Sequence, residues 1–109
     1  MGLTKNELFT KKQNEISTFA KALAHPARVA ILEYLLKQDS CVCGALVEEI
    51  GLAQPTISQH LRELKNIGLI KGTIEGTTVC YCINEEKWNE FMQEFANFFE
   101  LLHTNKSCC

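Results

Sequence analysis

Six cysteines fall in three pairs along these 109 residues: Cys41-Val42-Cys43, Cys80-Tyr81-Cys82 and Cys108-Cys109. Thiolates bind soft ions and are the groups that oxidants attack, so the chemistry on offer is capture of a thiophile or thiol redox. Spacing decides whether a pair can share one ligand. Residues two apart diverge by about 200° around a helix, whereas in an extended segment they lie on one face. Cys80 and Cys82 stand in the β-rich run VCYCIN. Alternation there puts Val79, Tyr81 and Ile83 on one face and the two cysteines on the other. Cys43 precedes a helical pattern starting near Gly44, whose unpaired N–H groups and dipole favour a thiolate. Cys108 and Cys109, vicinal in a tail read as flexible (104–109), can capture a thiophilic ion but would make a strained disulfide.

The elements that must position these sulfurs are legible around residues 53–70, AQPTISQHLRELKNIGLI. Ile57, Leu61 and Leu64 recur at helical spacing and face a core. That leaves Gln54, Thr56, Ser58, Gln59, His60, Arg62 and Lys65 outward, the side-chain types that meet base edges and phosphates in a major groove about 12 Å wide. Pro55 suits the first helical turn and Gly68 the C-terminal cap. Upstream, GALVEEI is a second short helical pattern, and Gly51 supplies the turn. Two short helices joined through a glycine make a helix-turn-helix over 44–67. Two β-rich runs follow, 69–74 and 77–83, separated by Glu75-Gly76; they predict a hairpin wing.

The flanks read as helices. Residues 5–24 carry Leu8, Ile16, Phe19, Ala20 and Leu23 as apolar positions, and Pro26 starts a core helix filled by Val29, Ile31, Leu32, Leu35 and Leu36. His25 is read as a residue at the helix start and not as a ligand. Residues 85–103 hold a broad stripe of Trp88, Phe91, Met92, Phe95, Phe98, Phe99 and Leu102. The stripe is wider than one small domain needs, so it predicts core plus a homodimer interface shared with the first helix, 1–24.

The length predicts one domain. A net charge of −2 argues against coating nucleic acid without specificity. The charge is polarised, however. Residues 52–83 carry Arg62, Lys65 and Lys71 against Glu63 and Glu75, while 85–100 carry Glu85, Glu86, Glu90, Glu94 and Glu100 against Lys87. The acidic end belongs away from a phosphate backbone, and modest basicity asks for a dimer reading two half-sites. The start, MGLTKNELFTKKQNE, has no apolar signal core, and Asn6 stands where a myristoylation signal needs Ser or Thr. No run approaches the ~20 apolar residues of a membrane span. The expectation is a cytoplasmic protein whose cysteines are reduced thiols and not a disulfide framework. No Gly-rich phosphate loop or cysteine–histidine partnership suggests an enzyme.

With HPARVAILEYLL upstream, GLAQPTISQHLRELKNIGLI in the middle and a hairpin ending in VCYCIN, the chain resembles the ArsR/SmtB family of bacterial metal-sensing repressors over roughly residues 16–103. The resemblance implies a mainly α fold with a small β-hairpin wing, a dimeric winged helix-turn-helix that binds double-stranded operator DNA. It also places a short strand at Cys41–Cys43. Cys-Val-Cys is similar to the motif of arsenite- and cadmium/lead-responsive members, which makes Cys41 and Cys43 the expected ligands. The implied mechanism is derepression, with arsenite or antimonite, or a soft divalent metal ion, as inducer; redox or persulfide sensing is the alternative. The arsenite type has a further cysteine where this chain has Leu46. The third sulfur is left open between the wing pair and the tail pair. Cys80 and Cys82 are read first as unrelated to Cys41 and Cys43, with a four-thiolate site as the alternative. Zinc or nickel sensing along the last helix is disfavoured because only His103 is available there. The wing tip, 73–78, lacks the arginines common in the family, and Ala53 replaces a capping serine.

Overall fold

Thr10 opens helix α1 (Lys11–Ala22) with a reciprocal cap. Its hydroxyl accepts from the Gln13 N–H, and the Gln13 side chain accepts from the Thr10 N–H. Leu8 is helical as well, but Phe9 and Thr10 break it from α1, so the helical run expected over 5–24 is interrupted there. The computed structural model describes residues 8–44, 46–76 and 78–103, so the predicted helix start near residue 5 and the tail cysteines lie outside it. Pro26, with no N–H to leave unpaired, starts α2 (Pro26–Leu36). The order then runs β1 (Val42–Cys43), α3 (Leu46–Ile50), α4 (Gln54–Ile67), β2 (Ile70–Glu75), β3 (Thr78–Ile83) and α5 (Glu85–Phe99), followed by a 3-10 turn, Glu100–His103. This is the mainly α winged helix-turn-helix that the sequence predicted.

The helix-turn-helix forms because α4 buries one stripe. Ile57, Leu61 and Leu64 sit in a core with Phe19, Ile31, Leu32, Leu35 and Leu46. Gly51, at φ 84°, makes the turn between α3 and α4, a conformation that costs a side-chain-bearing residue roughly 1–2 kcal/mol. Gly68, at φ 97°, ends α4. Its N–H donates to Lys65 O and the Leu69 N–H to Leu64 O, the bonding of a Schellman cap. Leu64 and Leu69, both fully buried, make the apolar contact that accompanies such a cap and aim the chain into β2. Pro55 lies in the first turn, and Ala53 gives no side-chain cap.

The sheet has the order β1-β3-β2, all antiparallel. The wing strands start one residue later than the sequence predicted, at Ile70 and Thr78. Gly76, at φ 64°, takes the positive-φ turn position and leaves Glu75 paired with Thr78. Packing of α5 on α1 is organised by Phe91, whose ring meets Phe19, Trp88 and Phe95 edge-on at 4.9–5.1 Å. Only the first half of the predicted aromatic stripe is used this way. Met92, Phe98, Phe99, Leu101 and Leu102 are each half or more exposed.

Leu64 is the residue on which both the helix seat and its cap depend. Leu64→Ala is expected to lower the unfolding free energy by ~2–5 kcal/mol, read as a fall in the urea midpoint with unchanged slope.

Candidate functional site

Two features carry the candidate chemistry: the outward face of α4 and the sulfurs between β1 and β3. On α4, Gln54, Thr56, Gln59, Arg62 and Lys65 are exposed and Ser58 is half-buried. Gln54 Nε2 donates to Ser58 Oγ at 2.9 Å, which fixes both side chains. Arg62 reaches Gln59 Oε1 at 3.5 Å, the limit of a hydrogen bond. Lys65 leans to one flank: a Cβ built on Gly72 of β2 would meet its Nζ at 3.3 Å, so this lysine lies against the wing.

His60 departs from the groove-facing set. It sits on the flank of α4 that packs toward α2, where its Nδ1 accepts from Arg28 Nε at 3.1 Å, and its ring lies 5.4 Å from that of His25. Helical phase explains this: one step beyond Gln59 turns the side chain about 100° toward the core. Arg28 also donates to Lys21 O at 2.9 Å and so ties α1, α2 and α4 together. Sequence reasoning passed over Arg28. The available signal was a lone cation inside the largely apolar PARVAILEYLL. Burial first, then the charges of Arg28 and His25, lower the His60 pKa. His25 itself starts α2 without a side-chain cap.

Between β1 and β3 the register sets Val42 opposite Tyr81 and Cys43 opposite Cys80. Directly opposed residues point to the same face of a sheet, as do residues two apart. Cys41, Cys43, Cys80 and Cys82 therefore share one face. The reading of two unrelated pairs is overturned, because β3 is the middle strand and β1 pairs with it. Cys43 and Cys80 are joined in a disulfide, their Cα atoms 4.2 Å apart, near the ~4.5 Å of directly opposed residues that lack mutual hydrogen bonds. The expectation of six reduced thiols fails at this pair. Cys43 consequently has no thiolate to offer beside Cys41, and the helix-dipole argument for it lapses. Cys41 pairs instead with Cys82, both free and half-buried. A hydrogen bond with Cys41, then burial, pushes the Cys82 thiol up.

With the disulfide closed, no group of three or more His, Cys, Asp or Glu side chains among the described residues is arranged to hold a metal ion. Cys41 and Cys82 do line an open cleft of about 420 Å³ with Leu36, Lys71, Ile83 and Trp88. Cys108 and Cys109 lie outside the described residues. Among the described residues, no helix is long and apolar enough to cross a membrane.

An exposed polar helix behind a short helix and beside a three-stranded wing defines a winged helix-turn-helix DNA-binding regulator. Residues 25–71 match the bacterial regulatory protein arsR family. The chain is 36% identical over 84 residues to an uncharacterized HTH-type transcriptional regulator of Methanocaldococcus jannaschii, covering 76% of this chain and 93% of that protein. It is 30% identical over 95 residues to the arsenical resistance operon repressor of Staphylococcus xylosus, covering 87% and 86% respectively. The solution structure of a homodimeric winged helix-turn-helix domain from Mycobacterium bovis, a possible ArsR-family regulator, aligns with a TM-score of 0.65 at 24% identity, over 99% and 98% of the two chains. This chain belongs to the arsR family of transcriptional regulators, a family of DNA-binding proteins and not of enzymes.

The His60–Arg28 bond needs a neutral imidazole, since a protonated Nδ1 cannot accept. Because the folded pKa is lowered, the stabilising contribution is complete above the unfolded value of ~6.5 and is lost as pH falls through the folded value. Between about pH 8 and about pH 5 the parent chain is expected to lose more stability than His60→Asn, whose side-chain oxygen accepts from Arg28 at any pH. Equal losses in urea titrations of the two chains would show that His60 does not govern this dependence.

Proposed function

We propose that the protein is a homodimeric, cytoplasmic repressor whose α4 reads operator DNA and whose β1–β3 sulfurs set the affinity of that reading. The observation that carries this is one of connectivity. Two of the sulfurs belong to the strand that leads through Gly44 into the helix-turn-helix, and the other two belong to the wing. A ligand that draws them together moves the two DNA-facing elements relative to each other.

Gln59 and Arg62, at the outermost phase of α4, are the principal base readers, with Gln54, Thr56 and Ser58 beside them. Lys65 favours a phosphate near the wing, and His60 acts as a positioning residue through Arg28. The exposed Phe98, Phe99, Leu101 and Leu102, with Leu8 and Phe9 exposed ahead of α1, supply an apolar dimer surface. The homodimeric M. bovis domain supports the same assembly. A dimer sets the two copies of α4 about one DNA turn apart, ~34–36 Å.

The inducer in this reading is trivalent arsenic or antimony, in keeping with the name of the S. xylosus relative. In the reduced chain, arsenous acid exchanges its three hydroxyls for three thiolates from Cys41, Cys43, Cys80 and Cys82 and releases three waters. Cys82, which lines the same cleft as Cys41, serves as the third sulfur that the sequence left unassigned. The Cys43–Cys80 disulfide favours a second reading, redox sensing. There two thiols pass two electrons and two protons to a peroxide, which leaves as water and alcohol.

Fluorescence anisotropy on DNA from the gene's own upstream region tests both readings. Arsenite or antimonite is expected to weaken binding ~5- to 150-fold, and Cys41→Ser with Cys82→Ser to abolish the response. A response to peroxide with none to arsenite selects the redox reading, and an unchanged arsenite response in the double variant removes the sensing role. Gln59→Ala and Arg62→Ala are each expected to cost ~1–3 kcal/mol of operator affinity, with the arsenite response intact.

A further inference from the structure

The two cross-strand cysteine pairs are in different chemical states. Cys43 and Cys80 are bonded to each other, while Cys41 and Cys82 are free thiols on the same face of the sheet. The free pair also stands at a wall of the cleft of about 420 Å³, whose apolar side is Leu35, Leu36, Ile83 and Trp88. That volume lies within the ~300–1,000 Å³ of small-molecule pockets. The disulfide thus removes two sulfurs from the cluster without closing the cleft.

Ligand chemistry follows from the count of sulfurs. Inorganic trivalent arsenic has three exchangeable hydroxyls and is fully satisfied by three thiolates. An arsenical with one carbon substituent has only two. We propose that, while the Cys43–Cys80 disulfide is closed, Cys41 and Cys82 form a two-sulfur site for a trivalent arsenical bearing one organic group, with that group seated in the cleft against Trp88. The disulfide then decides which arsenical the protein answers to. This rests on the sensing role proposed above and specifies its ligand and its regulation at the same cluster.

The step balances without an oxidant. A monosubstituted arsonous acid forms two As–S bonds and breaks two As–O bonds; the two thiol protons leave with the two hydroxyls as water, and arsenic stays trivalent. Lys71, paired with Cys82 across the β2–β3 ladder, offsets only part of the upward push that Cys41 and burial give that thiol. Reduction of Cys43–Cys80 by a cellular dithiol, itself oxidised to a disulfide, returns two sulfurs to the face and supplies the third that inorganic arsenite needs.

The test uses the full chain with Cys108→Ser and Cys109→Ser, so that the tail sulfurs cannot contribute, and with no DNA present. The probe is phenylarsine oxide, against sodium arsenite. The oxidised chain, its disulfide verified by mass, is expected to take up one phenylarsenic and to change the fluorescence of Trp88, its single tryptophan. Both signals should vanish in Cys41→Ser and in Cys82→Ser. Both should persist in Cys43→Ser with Cys80→Ser, which fixes the two-sulfur state even under reducing conditions. Arsenite should bind the oxidised chain at least about tenfold more weakly than the reduced chain, within the usual range of coupling between two events at one site. Uptake that survives Cys82→Ser, absence of uptake, or equal arsenite affinity in both forms would overturn the proposal. If uptake follows this pattern while operator binding ignores every arsenical, the arsenical-sensing reading falls and the two-sulfur site stands.

Discussion

The pairing of a two-residue strand with the middle strand of the wing is the constraint on which the rest depends. With only Val42 and Cys43 in β1, the ladder is too short to hold by hydrogen bonds alone. Its stability comes from Val42, buried in the core, and from the covalent link to Cys80. That link spans 37 residues, and the chain-entropy account assigns a loop of that size roughly 4 kcal/mol. Everything between the two cysteines, namely α3, α4 and β2, is enclosed in one loop. The reading helix cannot change its relation to the wing without the β1–β3 junction registering it.

Seating of α4 follows the same logic on its other side. Ile57, Leu61 and Leu64 hold it by burial, and Arg28 holds it by directed bonds to His60 and to the end of α1. Burial fixes the depth of the helix but tolerates rotation about its axis. A hydrogen bond from α2 to one flank, with Lys65 against the wing on the other, fixes rotation. Gln59 and Arg62 therefore project at a set angle, which is what recognition of base edges requires. Their own mutual contact is long and exposed, so they remain free to exchange it for a base.

The fold was legible because each element carries its own local signal. Gly51 and Gly68 mark turns, Pro26 and Pro55 mark helix starts, and the apolar spacing of α4 differs sharply from the alternation of VCYCIN. The outward residues of α4 followed from the same helical phase. The bond between His60 and Arg28 was not legible because the two are 32 residues apart, and periodicity on one helix contains nothing about a partner on another. The cysteines failed for a related reason. The Cys-x-Cys pairs were read first within their own segments, where i and i+2 are the natural partners, and a four-thiolate site joining them was only the alternative. Strand pairing replaced those partners with cross-strand ones, Cys43 with Cys80 and Cys41 with Cys82. The register of two strands, one of them only two residues long, is not a property of either segment alone.

Metal capture and thiol oxidation are usually weighed as rival explanations for a cysteine cluster, but in the sensing role proposed here they draw on the same four sulfurs. Linkage makes their competition reciprocal: whatever free energy the disulfide removes from three-sulfur binding, a bound three-sulfur ligand removes from disulfide formation. The unequal burial of the two bonded cysteines shapes the kinetics. Cys80 is inaccessible and Cys43 is exposed, so an outside thiol must attack Cys43 and expel a Cys80 thiolate into apolar surroundings. Burial raises a thiol's pKa, and a high-pKa thiolate is a poor leaving group. Cys41, by contrast, lies two residues from Cys43 on the same face, and Cys82 stands in the same relation to Cys80. A thiol that is part of the fold needs no access from solvent. Exchange within the ladder therefore offers a route by which a change at the open pair reaches the closed one, and through β1 the helix that reads DNA.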